Sequence, residues 1–457
     1  FFFVIALMAM GRLRGLAALC LICGIGIAAG SDGGVLQSHA GHPIRLRWDQ
    51  MRGMIRRETG RSALLAGREK RRILILMSDT GGGHRASAVA LKAAMEEMHP
   101  NQLNVTIVDM YASCASLPWR WIPYMYRRLA KRPLQWRLTV WLFADFKPVR
   151  WFCEAWIHVA TSSGLRECLQ SYDPEMVVSM HAMTNIYPMS ALRKLGGGKR
   201  KIPVVTVVTD LTTVHPAWFD KGVDACFVAS EEAAALARSK GLKPSQLRMY
   251  GLPIHPMFGR KPIGKAALRR KLGAHPTKPL VLLVGGGDGV GGLGRLADVV
   301  AQELAARFPG GTQLIVVCGK NERVRAELAA KTWHNVEVLV KGFVQPMSEY
   351  MAASDCVITK AGPGTVMEAA SQGLPVMLSG YLPPQEAGNV ECVVRGGFGA
   401  YSRKPQVIAR TVCSWLADPK ILAKLSAKAK QAARPQAVYA IAQDICNMLP
   451  ADPAHPK

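Results

Sequence analysis

From Lys70 onward the chain repeats one pattern: a short, wholly apolar run, then a longer stretch with apolar residues at helical spacing. The first runs are Ile73–Met77, Val105–Val108, Met176–Ser179 and Val204–Thr209, with Cys226–Ala229 and Leu247–Tyr250 after them. A run that is apolar throughout, and not alternating, predicts a parallel strand buried on both faces. Helical stretches between such strands predict a doubly wound α/β sheet. The rhythm breaks at Gly251-Leu252-Pro253-Ile254-His255-Pro256-Met257-Phe258, a domain boundary by its glycine and prolines. A second series begins at Leu280–Val284 and continues through Leu314–Cys318, Val336–Leu339, Cys356–Thr359 and Val376–Leu378. Pro405–Leu449 reads as helix apart from loops at Pro419 and Pro435. Two such domains in tandem place a cleft between them. Ligands in open α/β sheets lie at the carboxyl ends of strands, so the glycine loops Gly81–Gly83 and Gly285–Gly289 are both expected to face that cleft.

Composition refines this picture in three places. The 457 residues carry 58 basic and 32 acidic side chains, a net charge of +26 that predicts polyanionic company: nucleic acid, an anionic membrane or a phosphate-bearing substrate. No basic helix–turn–helix, zinc spacing or aromatic RNA-binding segment supports nucleic acid, and no nucleic-acid partner is expected. A local basic excess lies between Trp119 and Trp156, where Trp119, Trp121, Trp136, Trp141, Trp151 and Trp156 alternate with arginines and lysines. That interleaving suits a bilayer interface; a helix pair with an aromatic core is the competing reading. Residues 1–68 combine an apolar run, a basic flank and an Arg/Gly-rich tail, and read as a targeting segment and linker. The 11 cysteines are scattered, which predicts reduced, mostly buried thiols.

The candidate chemistry sits at strand ends. Ser78-Asp79-Thr80-Gly81-Gly82-Gly83 follows the first strand, and His84 opens the next helix where a phosphate loop would carry glycine or lysine. Lys360-Ala361-Gly362-Pro363-Gly364-Thr365-Val366-Met367-Glu368 follows another strand. Its glycines allow close backbone approach, and the helix that starts there offers free N–H groups to a diphosphate. Glu368, a turn inside, is placed to accept ribose hydroxyls, or is a first-turn acid favoured by the helix dipole. Pro384-Gln385-Glu386-Ala387-Gly388-Asn389 presents several polar groups to a sugar. No D-x-D pair occurs, so a metal-chelated diphosphate of that kind is not indicated, and no metal site or cofactor is expected. The leaving diphosphate is expected on backbone N–H groups and cations such as Lys320 or Lys360.

The segments MSDTGGGHRASA, VVTDLTTVHPAWF, YGLPIHPMF, VKGFV, ITKAGPGTVMEAASQGLPVML and PPQEAGNV run in that order from Met77 to Val390. On them the chain resembles the monogalactosyldiacylglycerol synthases of plastids and photosynthetic bacteria over roughly residues 72–445, and more distantly the bacterial N-acetylglucosaminyltransferase that completes lipid II. The resemblance implies a GT-B fold: an N-terminal acceptor and membrane-binding Rossmann-like domain over 69–258, a UDP-sugar-binding domain over 259–430, and a terminal helix over 431–449 packing back on the first. It implies inverting transfer of galactose from UDP-galactose to the 3-hydroxyl of diacylglycerol, peripherally at the chloroplast envelope, with phosphatidylglycerol or a similar anionic lipid as partner. His84 is then the general base, with Asp79 available to orient it. Gly362, Pro363, Gly364, Thr365, Val366 and Glu368, with the 384–389 segment, form the donor site. Phe343 packs on uracil, and Gly82, Gly83, His215 and Trp218 contact acceptor or anionic lipid. Two departures stand out: Pro384 replaces a glycine of plant members, and His255 replaces an arginine assigned to UDP. A lipid-linked N-acetylglucosaminyltransferase, a UDP-sugar epimerase and a non-catalytic lipid-binding protein remain the alternatives.

Overall fold

A computed structural model describes residues 70–80, 82–115, 119–129, 135, 164–200, 202–285, 292–383 and 385–450. The first sheet comprises β1 Arg71–Met77, β2 Leu103–Asp109, β3 Met176–Ser179, β4 Val204–Val207, β5 Ala225–Val228 and β6 Leu247–Met249. All its strands are parallel, in the order β2-β1-β3-β4-β5-β6. The second comprises β7 Leu280–Val284, β8 Thr312–Val317, β9 Val336–Lys341, β10 Cys356–Lys360, β11 Val376–Gly380 and β12 Gly399–Tyr401, again all parallel, in the order β12-β11-β10-β7-β8-β9. Each sheet reverses its winding once, between β1 and β3 and between β7 and β10. Those reversals open the crevices in which α/β sheets hold ligands.

Burial on both faces explains the unbroken apolar strands. In β1, Leu74 and Leu76 enter a core shared with Trp218 and Val228, while Ile73, Ile75 and Met77 enter the opposite one. That second core is closed by α1, Gly82–Met98, through Ala88, Leu91, Ala94 and Met95. The chain's last helix, numbered α4 here (Ala437–Asn447), adds Val438, Ile441, Ala442 and Ile445 to the same core. The final helix of the sequence therefore packs on the first sheet, and Tyr250 donates to Asp444 Oδ2 at 2.7 Å. Each fully buried Val, Leu, Ile or Met among these contributes about 1.5–3 kcal/mol. The two helices that follow β10 and β11 are α2, Pro363–Ser371, and α3, Ala387–Arg395.

One expectation changes. Cys114 and Cys168 are joined as a disulfide, so the reading of wholly reduced thiols does not hold; Cys226, Cys318, Cys356 and Cys413 are free and buried. The edge strand β12 was not legible because its opening residue is Gly399, where a side chain is excluded: a Cβ there would lie 1.9 Å from the Val376 carbonyl oxygen. The Trp119–Trp156 stretch lies mostly outside the described residues. Within its described part, Trp121 and Tyr124 are 57% and 54% exposed, and the Arg128 guanidinium stands 5.8 Å over the Tyr124 ring. No helix among the described residues is long and apolar enough to cross a membrane.

Candidate functional site

His84 is the third residue of α1, at the carboxyl end of β1. Its Nδ1 lies 2.7 Å from Thr209 Oγ1, just beyond β4. The His181 ring, delivered by the end of β3, meets it edge-on with centroids 4.6 Å apart, and the Trp218 ring is at 6.0 Å. His181 is fixed in turn by a 2.8 Å bond between its Nε2 and Thr80 Oγ1. The fully buried Trp218 donates its indole N–H to Asp210 Oδ2 at 2.6 Å. Two histidines, two threonines and a tryptophan thus gather at the winding reversal of the first sheet.

Enclosure decides the protonation of this cluster. Burial lowers His84 to about 4, against the raising effects of the Met180 backbone and the Asp79 charge. The residue keeps partial contact with solvent, while the rings of His181 and Trp218 stand against it. Burial, then the charges of His84 and His215, push His181 well below the ordinary histidine range. Both imidazoles are therefore neutral near pH 7. Asp79 does not touch His84. Its carboxylate takes Arg85 in two bonds of 2.8 and 2.6 Å, and it acts on the imidazole only as a nearby charge.

On the second domain, Gly362 caps α2 and Pro363 occupies its first turn. The first intrahelical bond runs from Val366 N to the Gly362 carbonyl, so the Gly364 and Thr365 N–H groups project from the helix start. Glu368 is raised to about 7 by burial alone. Glu386 is bound: one oxygen takes Lys360 Nζ at 2.5 Å and the other the Leu382 N–H at 2.8 Å. Asn389 is also engaged, donating to the Ala361 carbonyl at 2.9 Å. Gln385, Ala387 and Gly388 complete the turn into α3, and Pro384 lies outside the described residues. Across the cleft, burial raises Asp210 to about 6, against the Trp218 bond, and the Glu386 charge adds to the rise.

Several sequence assignments are relocated by this geometry. His255 is held at the hinge, where its Nδ1 accepts from Met257 N at 3.3 Å and its charged neighbours are Arg260 and Glu97. Glu97 stands thirteen residues along α1 from His84, roughly 20 Å away. The side chain of Val366 is fully buried in the domain core, leaving only its backbone to the site. Trp218 is 1% exposed, and its ring walls the histidine. His215 is exposed and caps the Pro216–Trp218 turn through Nδ1. Phe343 is 61% exposed, available to a ligand ring. Gly83 is exposed, and a Cβ there would meet nothing within 4 Å, so no protein atom requires glycine at that position. His181 and Thr209 were assigned no role from the sequence; their positions at the ends of β3 and β4, on the same side of β1, gave the only signal.

Residues 84–254 match the model of the monogalactosyldiacylglycerol (MGDG) synthase family, and residues 280–381 match the C-terminal domain of glycosyltransferase family 28. The chain is 39% identical over 383 residues to monogalactosyldiacylglycerol synthase 1, chloroplastic, of Arabidopsis thaliana, covering 83% of this chain and 71% of that one. It is 40% identical to the chloroplastic enzyme of Spinacia oleracea over 83% and 73% of the two chains. Among solved structures, MurG of Acinetobacter baumannii superimposes with a TM-score of 0.51 at 16% identity, over 83% of this chain and 100% of its own. The UDP-GlcNAc 2-epimerase of Neisseria meningitidis, bound to UDP-GlcNAc, gives 0.52 at 14%, with the same coverage. These two share the fold, and two facing parallel-sheet domains of this kind are the GT-B architecture. By its sequence identity to the named synthases over most of both chains, the protein belongs to the monogalactosyldiacylglycerol synthase family.

Proposed function

We propose that the protein transfers galactose from UDP-galactose to the 3-hydroxyl of diacylglycerol, forming monogalactosyldiacylglycerol with inversion at the anomeric carbon. The observation that carries this reading is the enclosed, neutral His84 at the reversal of the first sheet, facing a second domain whose α2 start offers free N–H groups. In the step, the acceptor oxygen bonds to C1 of galactose while its proton passes to the imidazole. The C1–O bond to UDP breaks, and its electron pair leaves on the β-phosphate oxygen. Backbone N–H groups at Gly364 and Thr365 stabilise that oxyanion without reorganising. Lys360, now paired with Glu386, is the neighbouring cation. Glu368 takes the ribose hydroxyls, Phe343 the uracil face, and Gln385–Asn389 the sugar.

An imidazole at about 4 is a weak resting base, but the acceptor hydroxyl becomes strongly acidic as its oxygen bonds to C1, so the ring takes the proton as that bond forms. Its low value has a use: the base stays unprotonated at any physiological pH. The exposed Trp121 and Tyr124 beside Arg120 and Arg128 form a surface suited to an anionic bilayer, and phosphatidylglycerol is the proposed lipid there. Relatives carry the word chloroplastic in their names, and peripheral attachment at the chloroplast envelope is the proposed location. The test is His84→Ala. It is expected to lower turnover by at least about a hundredfold, the range of general-base contributions, while UDP affinity is kept. Near-normal turnover in that variant refutes the base assignment.

A further inference from the structure

The five residues that follow β4, Thr209–Thr213, touch both halves of the cleft in succession. Thr209 Oγ1 holds His84 Nδ1 at 2.7 Å. Asp210 accepts from Trp218, which packs beside His84. Leu211 is buried in the core of the other domain, together with Phe258, Val366 and Leu378. Thr212 Oγ1 donates to Asn389 Oδ1 at 3.3 Å, and Thr213 Oγ1 accepts from Gly388 N at 2.9 Å. The last contact caps the start of α3, whose own cap residue, Glu386, makes no side-chain capping bond.

Gly388 fits this contact sterically. A Cβ there would lie 2.3 Å from Thr212 Oγ1 and 2.5 Å from Thr213 Oγ1, distances that no side chain tolerates. The glycine is thus accounted for by a threonine pair on the other domain, before any sugar is considered. A chain segment this short, bonded at one end to the histidine and at the other to the donor loop, cannot shift at one end alone. Leu211, anchored between them, ties its middle to the second domain.

We propose that Thr209–Thr213 is a strap that sets the His84 ring according to the position of the donor loop, with Thr213 as its positioning residue on the donor side. Donor binding at 385–389 would then be read at the base before the acceptor arrives. The proposal rests on the reading of His84 as base and of 385–389 as donor loop, and it names how the two communicate.

The experiment uses the full chain with histidine rings labelled for NMR, the His84 signal being the one lost in His84→Ala. UDP added to the wild type is expected to move the His84 signal, and Thr213→Val to leave it still while UDP binds within about threefold of normal. Thr213→Ser, which restores the hydroxyl, is expected to restore the shift. In turnover, Thr213→Val is expected to lower kcat about tenfold with little change in the donor KM. Thr209→Val combined with it should cost at least about fivefold less than the product of the two single effects, the size of coupling seen for linked residues. A His84 shift that survives Thr213→Val, an unmoved His84 in wild type with UDP bound, or multiplicative kinetic effects would each overturn the strap. Failure of UDP to bind the wild type would sink the donor-loop reading itself, and the strap with it.

Discussion

His84 should make the protein's stability depend on pH in a way that one substitution removes. Its ordinary value of 6.5 in the unfolded chain falls to about 4 in the fold, because the ring is enclosed by His181 and Trp218. Above 6.5 both states hold it neutral, and it has no effect on the folding equilibrium's pH slope. Below 6.5 the unfolded chain takes up a proton that the folded one refuses, so stability is lost as pH falls, down to about 4. Each pH unit between those limits is worth about 1.4 kcal/mol, so the loss at pH 5 is about 2 kcal/mol. Asp210 works in the opposite sense. Its folded value of about 6 lies above the ordinary 3.8, so its contribution is present at low pH and is lost as pH rises through 6. Comparing wild type with His84→Gln cancels that term, because Asp210 is in both. Urea unfolding of the two proteins at pH 7.5 and pH 5 measures the difference. The stability gap is expected to move by about 2 kcal/mol in favour of His84→Gln at pH 5. A gap unchanged within about 0.5 kcal/mol would refute the enclosed, neutral imidazole.

Two further predictions concern the donor side and the last helix. Glu368 is raised to about 7 by burial, so UDP affinity is expected to fall from pH 8 to pH 6 as the carboxylate protonates, by up to about tenfold. Calorimetry of Glu368→Gln should show a shallower slope than wild type, a comparison that cancels the titration of UDP itself; equal slopes would remove Glu368 from the site. Ile441 of α4 is fully buried among β1 and α1 side chains, so Ile441→Ala is expected to cost about 2–5 kcal/mol in urea unfolding. A loss under about 1 kcal/mol would show that α4 does not close that core in solution.

The sequence was most informative where burial dictates residue type on both faces of an element. The five apolar residues Ile73–Met77 admit no reading but a strand between two cores, and they received both. The same logic failed at β12, where the register demands Gly399 and leaves no hydrophobic trace. Site residues divide along a similar line. His84 and the Gly362–Thr365 turn were visible because a motif carried them. His181 and Thr209 drew no role, the second even inside a quoted segment, since each reaches the cluster through strand order, which joins residues about a hundred positions apart. His255 adds surroundings that its motif did not indicate: the hinge sets that side chain among the charges of Arg260 and Glu97. The cysteine pair was hidden for the same reason as the histidines, because Cys114 and Cys168 are 54 residues apart in sequence.

The central claim is the choice of sugar donor and lipid acceptor, and one assay addresses it. The full chain is given diacylglycerol in phosphatidylglycerol-containing vesicles, with labelled UDP-galactose or labelled UDP-N-acetylglucosamine, and the lipid extract is separated. The proposed reaction predicts labelled monogalactosyldiacylglycerol from the first donor, with the β-anomeric product of inversion, and no lipid product from the second. Lipid labelled only from UDP-N-acetylglucosamine, or UDP-sugar turned over with no label in lipid, would contradict it.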